Sequence, residues 1–303
     1  MMISKPIAPI TTLLAALITL SCENQEARSI SPPSDTAQTA SSADSLLHKA
    51  PEPQQPPVSY SWVKKKDWQE RKDSFAGAEH LDILKALNRV DLTHLKRLDS
   101  IIVPDDYSRP LNDYLSFPEE LDMAKDVNKI ILFSYPTQTF AAYESGKLVR
   151  TGPTNMGKKS SPTPRGLFFT NWKSKKSIST VDKAWILKWN FNISNRGGIG
   201  FHEYALPGYP ASHSCMRLLE EDAQFLYGWA DQWILKNDQE LAASGTPVIV
   251  FGEYPFGEPY PWFKVTEDPE AMKIPTDSLN HLLQPHLSTI MEKQTQRQEV
   301  VSR

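Results

Sequence analysis

The chain has 303 residues, 40% hydrophobic and 23% charged, which is ample for the core of one or two globular domains and excludes a wholly disordered or collagenous chain. Its 33 Lys and Arg stand against 36 Asp and Glu, a formal net charge of -3, so no global basic field exists and no nucleic-acid partner is expected. Beyond roughly the first twenty residues no apolar run approaches the ~20 needed to span a bilayer, and the body of the chain is expected to be soluble.

In chain order, residues 1–22 come first. A short apolar stretch from Ile7 to Leu20, behind Lys5 and interrupted by Pro9, ends at Ser21 and Cys22 and reads as an export signal. The small residue before Cys22 resembles the lipobox of bacterial lipoproteins, with Thr19 where that family usually has Leu, Val or Ile. The resemblance implies lipidation of Cys22 and a membrane anchor; plain secretion and an uncleaved anchor are the alternatives, and all three place the body outside the cytoplasm, in the periplasm or cell envelope. Residues 23–59 are rich in Ser, Ala, Pro, Gln and Thr and form a tether whose extended reach is ~100 Å.

Residues 60–127 change character. Leu81, Leu84, Leu87 and Asn88 fit a short amphipathic helix, Leu92, Leu95 and Leu98 continue at helical spacing, and Ile101 to Val103 reads as a strand, giving a small α/β or helical module. Residues 83–104 resemble the second half of a LysM repeat, with Asp99 in place of its usual Gly; a plain helical lead-in is the other reading. In residues 128–252 strands dominate: 130–134, 139–143, 148–151, 166–170, 184–191, 199–202 and 247–252, with a hairpin turn at Glu144 to Lys147. Apolar residues from Leu219 to Ile234 recur at helical spacing behind the acidic turn Glu220, Glu221 and Asp222. The fold class expected is mainly β with one packed helix. Residues 253–303 read as a peripheral extension carrying an amphipathic helix near Leu279 to Met291.

The chemistry gathers between Gly198 and Leu218, "GIGFHEYALPGYPASHSCMRL". A strand delivers His202, a turn holding Pro207, Gly208 and Pro210 reverses the chain, and Ser212, His213, Ser214 and Cys215 precede the helix. A thiol attacks as thiolate, so a nucleophilic Cys215 needs a nearby imidazole or a helix N-terminus to lower its pKa, and the sequence offers both. His213 and Cys215 lie two apart and project to one face of extended backbone.

This segment resembles the motif of the YkuD-type L,D-transpeptidases, which join a histidine, a loop, Ser/Thr-His-Gly-Cys and an Arg or Asn. The matching positions are His202, Ser212, His213, Ser214, Cys215 and Arg217. The hairpin "FAAYESGKLVRTGP" and the run Ser161 to Phe168 resemble the same family, in the same order. The resemblance implies a YkuD-like catalytic β-domain with Cys215 as nucleophile, His202 as general base and acid, no cofactor, and peptidoglycan stem peptides as partners. It implies 3-3 cross-links, or attachment of a protein to peptidoglycan, through a Cys thioester, and acylation of Cys215 by carbapenems. His213 is expected to orient or donate at the oxyanion, the backbone of Ser214 to donate there, and Arg217, Ser212, Tyr204 and Tyr209 to bind substrate, Arg217 as a carboxylate clamp. Ser214 stands where the family usually has Gly, which matters if that position needs a positive φ. Glu203 follows His202 where Gly or Ser is common, and the interval to Cys215 is short.

Other readings of the same residues stay open. An L,D-carboxypeptidase would pass the thioester to water; a zinc-dependent wall hydrolase would use His202, His213 and Cys215 as ligands; a binding module would keep the fold without turnover. Gly197, Gly198 and Gly200 read as a turn or bulge, and Lys173, Lys175, Lys176 and Lys183 as a solvated hairpin loop. Trp185 and Trp189 suit either the groove or the core.

Overall fold

A strand, helices and a returning strand open the structure, a computed structural model that describes residues 58–70 and 77–303. Residues 1–22, read above as an export signal ending at Cys22, and nearly all of residues 23–59, read as a tether, lie outside the described residues. Strand β1 (Tyr60–Lys64) leads into α1 (Lys65–Glu70); α2 (Ala78–Asn88) and α3 (Leu92–Leu95) precede β2 (Ser100–Pro104), which pairs antiparallel with β1, Trp62 opposite Ile102. Leu84, Val90, Leu95, Ile101 and Val103 form the core of this module. Asn88 fastens helix to strand: its Nδ2 donates to the carbonyls of Leu84 and Ile102, 2.9 Å each, and its Oδ1 accepts from the Ile102 N–H at 2.8 Å. Arg89 ends α2 in the left-handed region, φ 57, and buries its guanidinium, donating from Nε to the Thr137 carbonyl at 2.7 Å and lying 5.7 Å from the Trp262 ring. The module is thereby bolted to the main sheet.

That sheet comprises β3 (Lys129–Ser134), β4 (Thr139–Glu144), β5 (Lys147–Asn155), β6 (Gly166–Phe169), β7 (Lys173–Ile178), β8 (Ile186–Ser194), β9 (Ile199–Glu203) and β10 (Met216–Leu218), followed by α4 (Glu220–Trp229), the small pair β11 (Ile234–Leu235) and β12 (Leu241–Ala243), and β13 (Pro247–Phe251). Its nine strands run β6-β13-β3-β4-β5-β10-β9-β8-β7, parallel where β13 meets β3 and where β10 meets β9. Consecutive strands β6 and β7 thus occupy opposite edges. Laid flat, those edges would stand about 38 Å apart at ~4.8 Å per strand, whereas the link of residues 170–172 reaches about 14 Å. The sheet must curl. The link itself joins the edges: Thr170 N–H donates to Thr246 O at 2.9 Å and Asn171 N–H to Asn192 O at 2.8 Å.

Alternation along the strands sorts the core into two layers. Ile131 and Phe133 on β3, Phe140 and Ala142 on β4, Phe201, Met216, and Leu226 of α4 pack inside the curl. Ile130, Leu132, Ala141, Tyr143 and Ile249 face the other way, against α5 (Thr276–Leu283) and α6 (Leu287–Val301) through Leu279, Leu283 and Ile290. The peripheral tail expected from the sequence is therefore corrected: its polar composition hides three fully buried side chains that close the second layer. Each such burial contributes about 1.5–3 kcal/mol.

The helix after the motif is shorter than expected. It stops at Trp229 because the following backbone is drawn into long-range pairing, Asp231 N–H donating to Thr246 Oγ1 at 2.9 Å and Trp233 N–H to Asn171 O at 3.1 Å. Three of the four lysines expected in a hairpin loop lie on β7 instead, paired with β8. The hairpin turn at Ser145 and Gly146, φ 49 and 76, falls where the sequence put it. Among the described residues no helix is long and apolar enough to cross a membrane.

Candidate active site

Parallel pairing of β9 with β10 sets Arg217 beside His202 and Met216 beside Phe201. Met216 and Phe201 face the core, so His202, Arg217 and, two residues before it, Cys215 fall on the opposite face. There they line one narrow cleft with Ser179, Val181, Trp185, Leu187, Tyr204, Ser212 and His213. Two loops hold the approach. Gly200 brings β9 against β8 so closely that a Cβ would sit 2.3 Å from the Phe191 carbonyl, and the glycines at 197 and 198 make the turn before it, φ 84 and 64. The loop from Tyr204 to Ser214 docks on the N-terminal module, where Asp91 Oδ2 accepts from the Leu206 N–H at 2.9 Å and Val90 bridges Pro207.

A second clamp comes from residues 155–163. Gly157 bridges Ser212, and the Lys158 N–H donates to Ser212 O at 2.9 Å. Thr163 Oγ1 accepts from the Gly157 N–H at 2.9 Å, and Tyr135 Oη donates to the Gly157 carbonyl. A Cβ at 157 would meet the Ser161 carbonyl at 2.3 Å, so only glycine lets the two segments touch. The Ser161 to Phe168 run thus acts as scaffold for the motif.

His202 is buried, and its Nδ1 donates to the Glu203 carbonyl at 2.9 Å, which leaves the lone pair on Nε2. Burial first, then the Arg217 charge, pushes its pKa down to about 4, against the pull of the Glu203 carbonyl. It is a neutral base across the physiological range. Cys215 is a half-buried free thiol whose Sγ lies 3.8 Å from the Gly198 carbonyl. Burial pushes its pKa up, opposed by the Gly200 N–H and the Arg217 charge. Both shifts favour the uncharged forms, a thiol beside an imidazole.

The expected helix N-terminus is not beside the thiol. β10 intervenes, because residues 216–218 pair with both β9 and β5, and α4 begins only at Glu220. His213 accepts at Nε2 from Lys158 Nζ at 2.8 Å, and burial, Lys158 and Arg217 lower its pKa. Its Nδ1 is closed to solvent and has no hydrogen-bond partner. Arg217 lies 4.7 Å from the Tyr204 ring and donates to Ala205 O at 3.4 Å.

Two residues expected to bind substrate have partners within the protein. Ser212 is buried and spends its hydroxyl on the Cys215 carbonyl at 2.5 Å, holding the loop. Tyr209 is 47% exposed, outside the cleft, and stacks on Tyr260 with ring centroids 6.4 Å apart. Ser214 has φ 84, the conformation that favours glycine, and donates from Oγ to Ser161 O at 3.3 Å. Trp185 lines the cleft, 5.3 Å from the His213 ring, whereas Trp189 packs on the core. Among the described residues no three His, Cys, Asp or Glu side chains are grouped to hold a metal ion, so the zinc set of His202, His213 and Cys215 does not form.

The family model of the L,D-transpeptidase catalytic domain, YkuD, matches residues 128–250. Those residues are a YkuD domain. Solved structures similar to the chain include an L,D-transpeptidase from Mycobacterium smegmatis (22% identity, 41% of this chain and 59% of that one, TM-score 0.33). Others are an L,D-transpeptidase from Stackebrandtia nassauensis (21% identity, 63% and 77%, TM-score 0.36) and one from Mycobacterium tuberculosis (22% identity, 41% and 58%, TM-score 0.33). The chain spans under three fifths of the length of the two mycobacterial proteins. No curated protein matches it. The YkuD domain begins one residue before β3 and ends within β13, so it contains the curled sheet up to Val250 and every cleft residue, while Asp91 and Arg89 brace it from outside. Lys158, Thr163 and Asp91 escaped the reading of the sequence; only Thr163, inside a recognised motif, carried a signal there.

Proposed function

We propose that the protein is an L,D-transpeptidase acting on peptidoglycan stem peptides through a thioester on Cys215. The observation carrying this reading is the shared cleft, in which a thiol faces a buried histidine whose Nδ1 is committed and whose Nε2 is free. His202 takes the thiol proton as Sγ attacks the carbonyl carbon of the third stem residue, whose bond to the terminal D-residue breaks; the proton leaves on that residue's amine. An amine of a second stem then attacks the thioester, gives its proton to His202, and releases the thiol. Backbone N–H groups of Ser214 and Cys215 serve the oxyanion, and Arg217, stacked on Tyr204, meets a substrate carboxylate.

The test incubates the purified protein with disaccharide-tetrapeptide, wild type beside Cys215→Ala, with products read by mass. Cross-linked dimer and free D-alanine, absent from the variant, are expected; tripeptide alone would make it a carboxypeptidase, and no turnover would sink the reading. The same proposal has the chain exported and anchored through lipid on Cys22, supported by the apolar stretch and Ser21 before it. Metabolic labelling with a fatty-acid analogue, lost in Cys22→Ser, checks that part.

A further inference from the structure

His213 presents an unusual balance for a cleft residue. One ring nitrogen faces an ammonium, which can only donate, so Nε2 is the acceptor and the ring proton of the neutral imidazole sits on Nδ1. That N–H is then a donor closed to water with nothing to bind. Buried donors normally find partners, and an exception in a cleft that also holds a nucleophile points to a partner supplied from outside. Several neighbouring groups of the cleft have partners within the protein: His202 Nδ1 on Glu203 O, Ser212 Oγ on Cys215 O, and Arg217 Nη1 on Ala205 O.

We propose that Lys158 is a positioning residue that holds His213 as the Nδ1–H tautomer, so that this N–H is a preformed donor to the carbonyl oxygen of an acyl group bound at Cys215; the proposal rests on the acyl-transfer reading above. The lysine is well placed for the task. Its backbone N–H fixes Ser212 in the same loop at 2.9 Å, so ammonium and imidazole are held by one clamp. The charged groups acting on the ring are Lys158 from the clamp and Arg217 from β10, both positive, and Trp185 stands 5.3 Å away. Both cations disfavour a second ring proton, so the ring stays a neutral donor that keeps its orientation.

The experiment combines long-range proton-nitrogen spectra of the protein labelled at histidine, assigned with His213→Gln, with acylation kinetics of wild type, Lys158→Met and Lys158→Arg. Expected are Nδ1 protonation of His213 in the wild type, its loss together with a raised His213 titration in Lys158→Met, and restoration in Lys158→Arg. Acylation by stem peptide should fall about 100- to 1,000-fold in Lys158→Met at nearly unchanged KM, as for removal of one oxyanion donor. A wild-type ring protonated on Nε2 would overturn the proposal with no variant needed. So would a folded Lys158→Met with an unaltered tautomer and rate. A wild-type protein showing the Nδ1 tautomer but no acylation at all would instead refute the transpeptidase reading and the donor role with it, leaving the tautomer lock as a measured fact.

Discussion

On the proposed acyl-transfer chemistry, burial of His202 sets where activity is lost in acid. The perturbation is pH alone, from about 3.5 to 8, with a carbapenem as acylating agent and the adduct on Cys215 counted by intact mass. Acylation needs a neutral imidazole to accept the thiol proton, so its rate follows the neutral fraction of His202. With a pKa of about 4, some 90% of the plateau rate survives at pH 5; a histidine at its ordinary 6.5 would retain about 3%, roughly a thirtyfold difference. His202→Asn should lose the plateau altogether, leaving a rate that climbs about tenfold per pH unit because only thiolate then reacts, and burial holds the thiol above its ordinary value. An acid limb centred near pH 6.5 in the wild type would refute the burial argument.

Three further outcomes follow from the packing. Asp222, buried in the first turn of α4 and bonded to Arg150 at 2.7 Å, has its carboxyl pushed up to about 7 by desolvation. A raised folded pKa means stability present below pH ~4 and lost as pH rises through 7, on the order of 4 kcal/mol. His202, with a lowered pKa, works in the opposite sense between pH 4 and 6.5, so the wild-type urea midpoint should vary little there while Asp222→Asn gains stability as pH rises; parallel curves for the two proteins would reject the assignment. Leu283→Ala should cost about 2–5 kcal/mol by equilibrium denaturation, since α5 seals the outer layer, and a loss under 1 kcal/mol would return the tail to the periphery. At position 214, φ 84 should make Ser214→Gly neutral in melting temperature, lost hydroxyl bond set against relieved strain, whereas Ser214→Val should lower acylation sharply by shifting the oxyanion backbone; equal rates in the two variants would show that the conformation is unimportant.

The central strands of the sheet were legible because their apolar runs are buried on both faces, so 130–134 and 139–143 stood out without any pattern of polar alternation. Cys215, His202, His213 and Arg217 were legible as a motif, and the cleft gathers all four. The rest depended on partners far away in sequence. β10 is too short to announce itself and exists because β5 and β9 flank it. Helical spacing ran on to Ile234, yet the chain leaves the helix for bonds to Asn171 and Thr246, which no local pattern encodes. Ser212 and Tyr209 belonged to the right segment, and only distant partners, Gly157 for the one and Tyr260 for the other, make one a clasp and the other a surface ring.

The position of β13 has a consequence for how the protein comes into being. Residues through Leu218 contain every residue of the cleft, yet the strand seated between β6 and β3 is made of residues 247–251, and the helices over its outer face end at Val301. A nascent chain that has already delivered Cys215 and His202 still lacks the strand that joins one edge of its sheet. A chain truncated before residue 247 therefore carries the whole thiol motif on a sheet whose β6 and β3 have lost the strand between them.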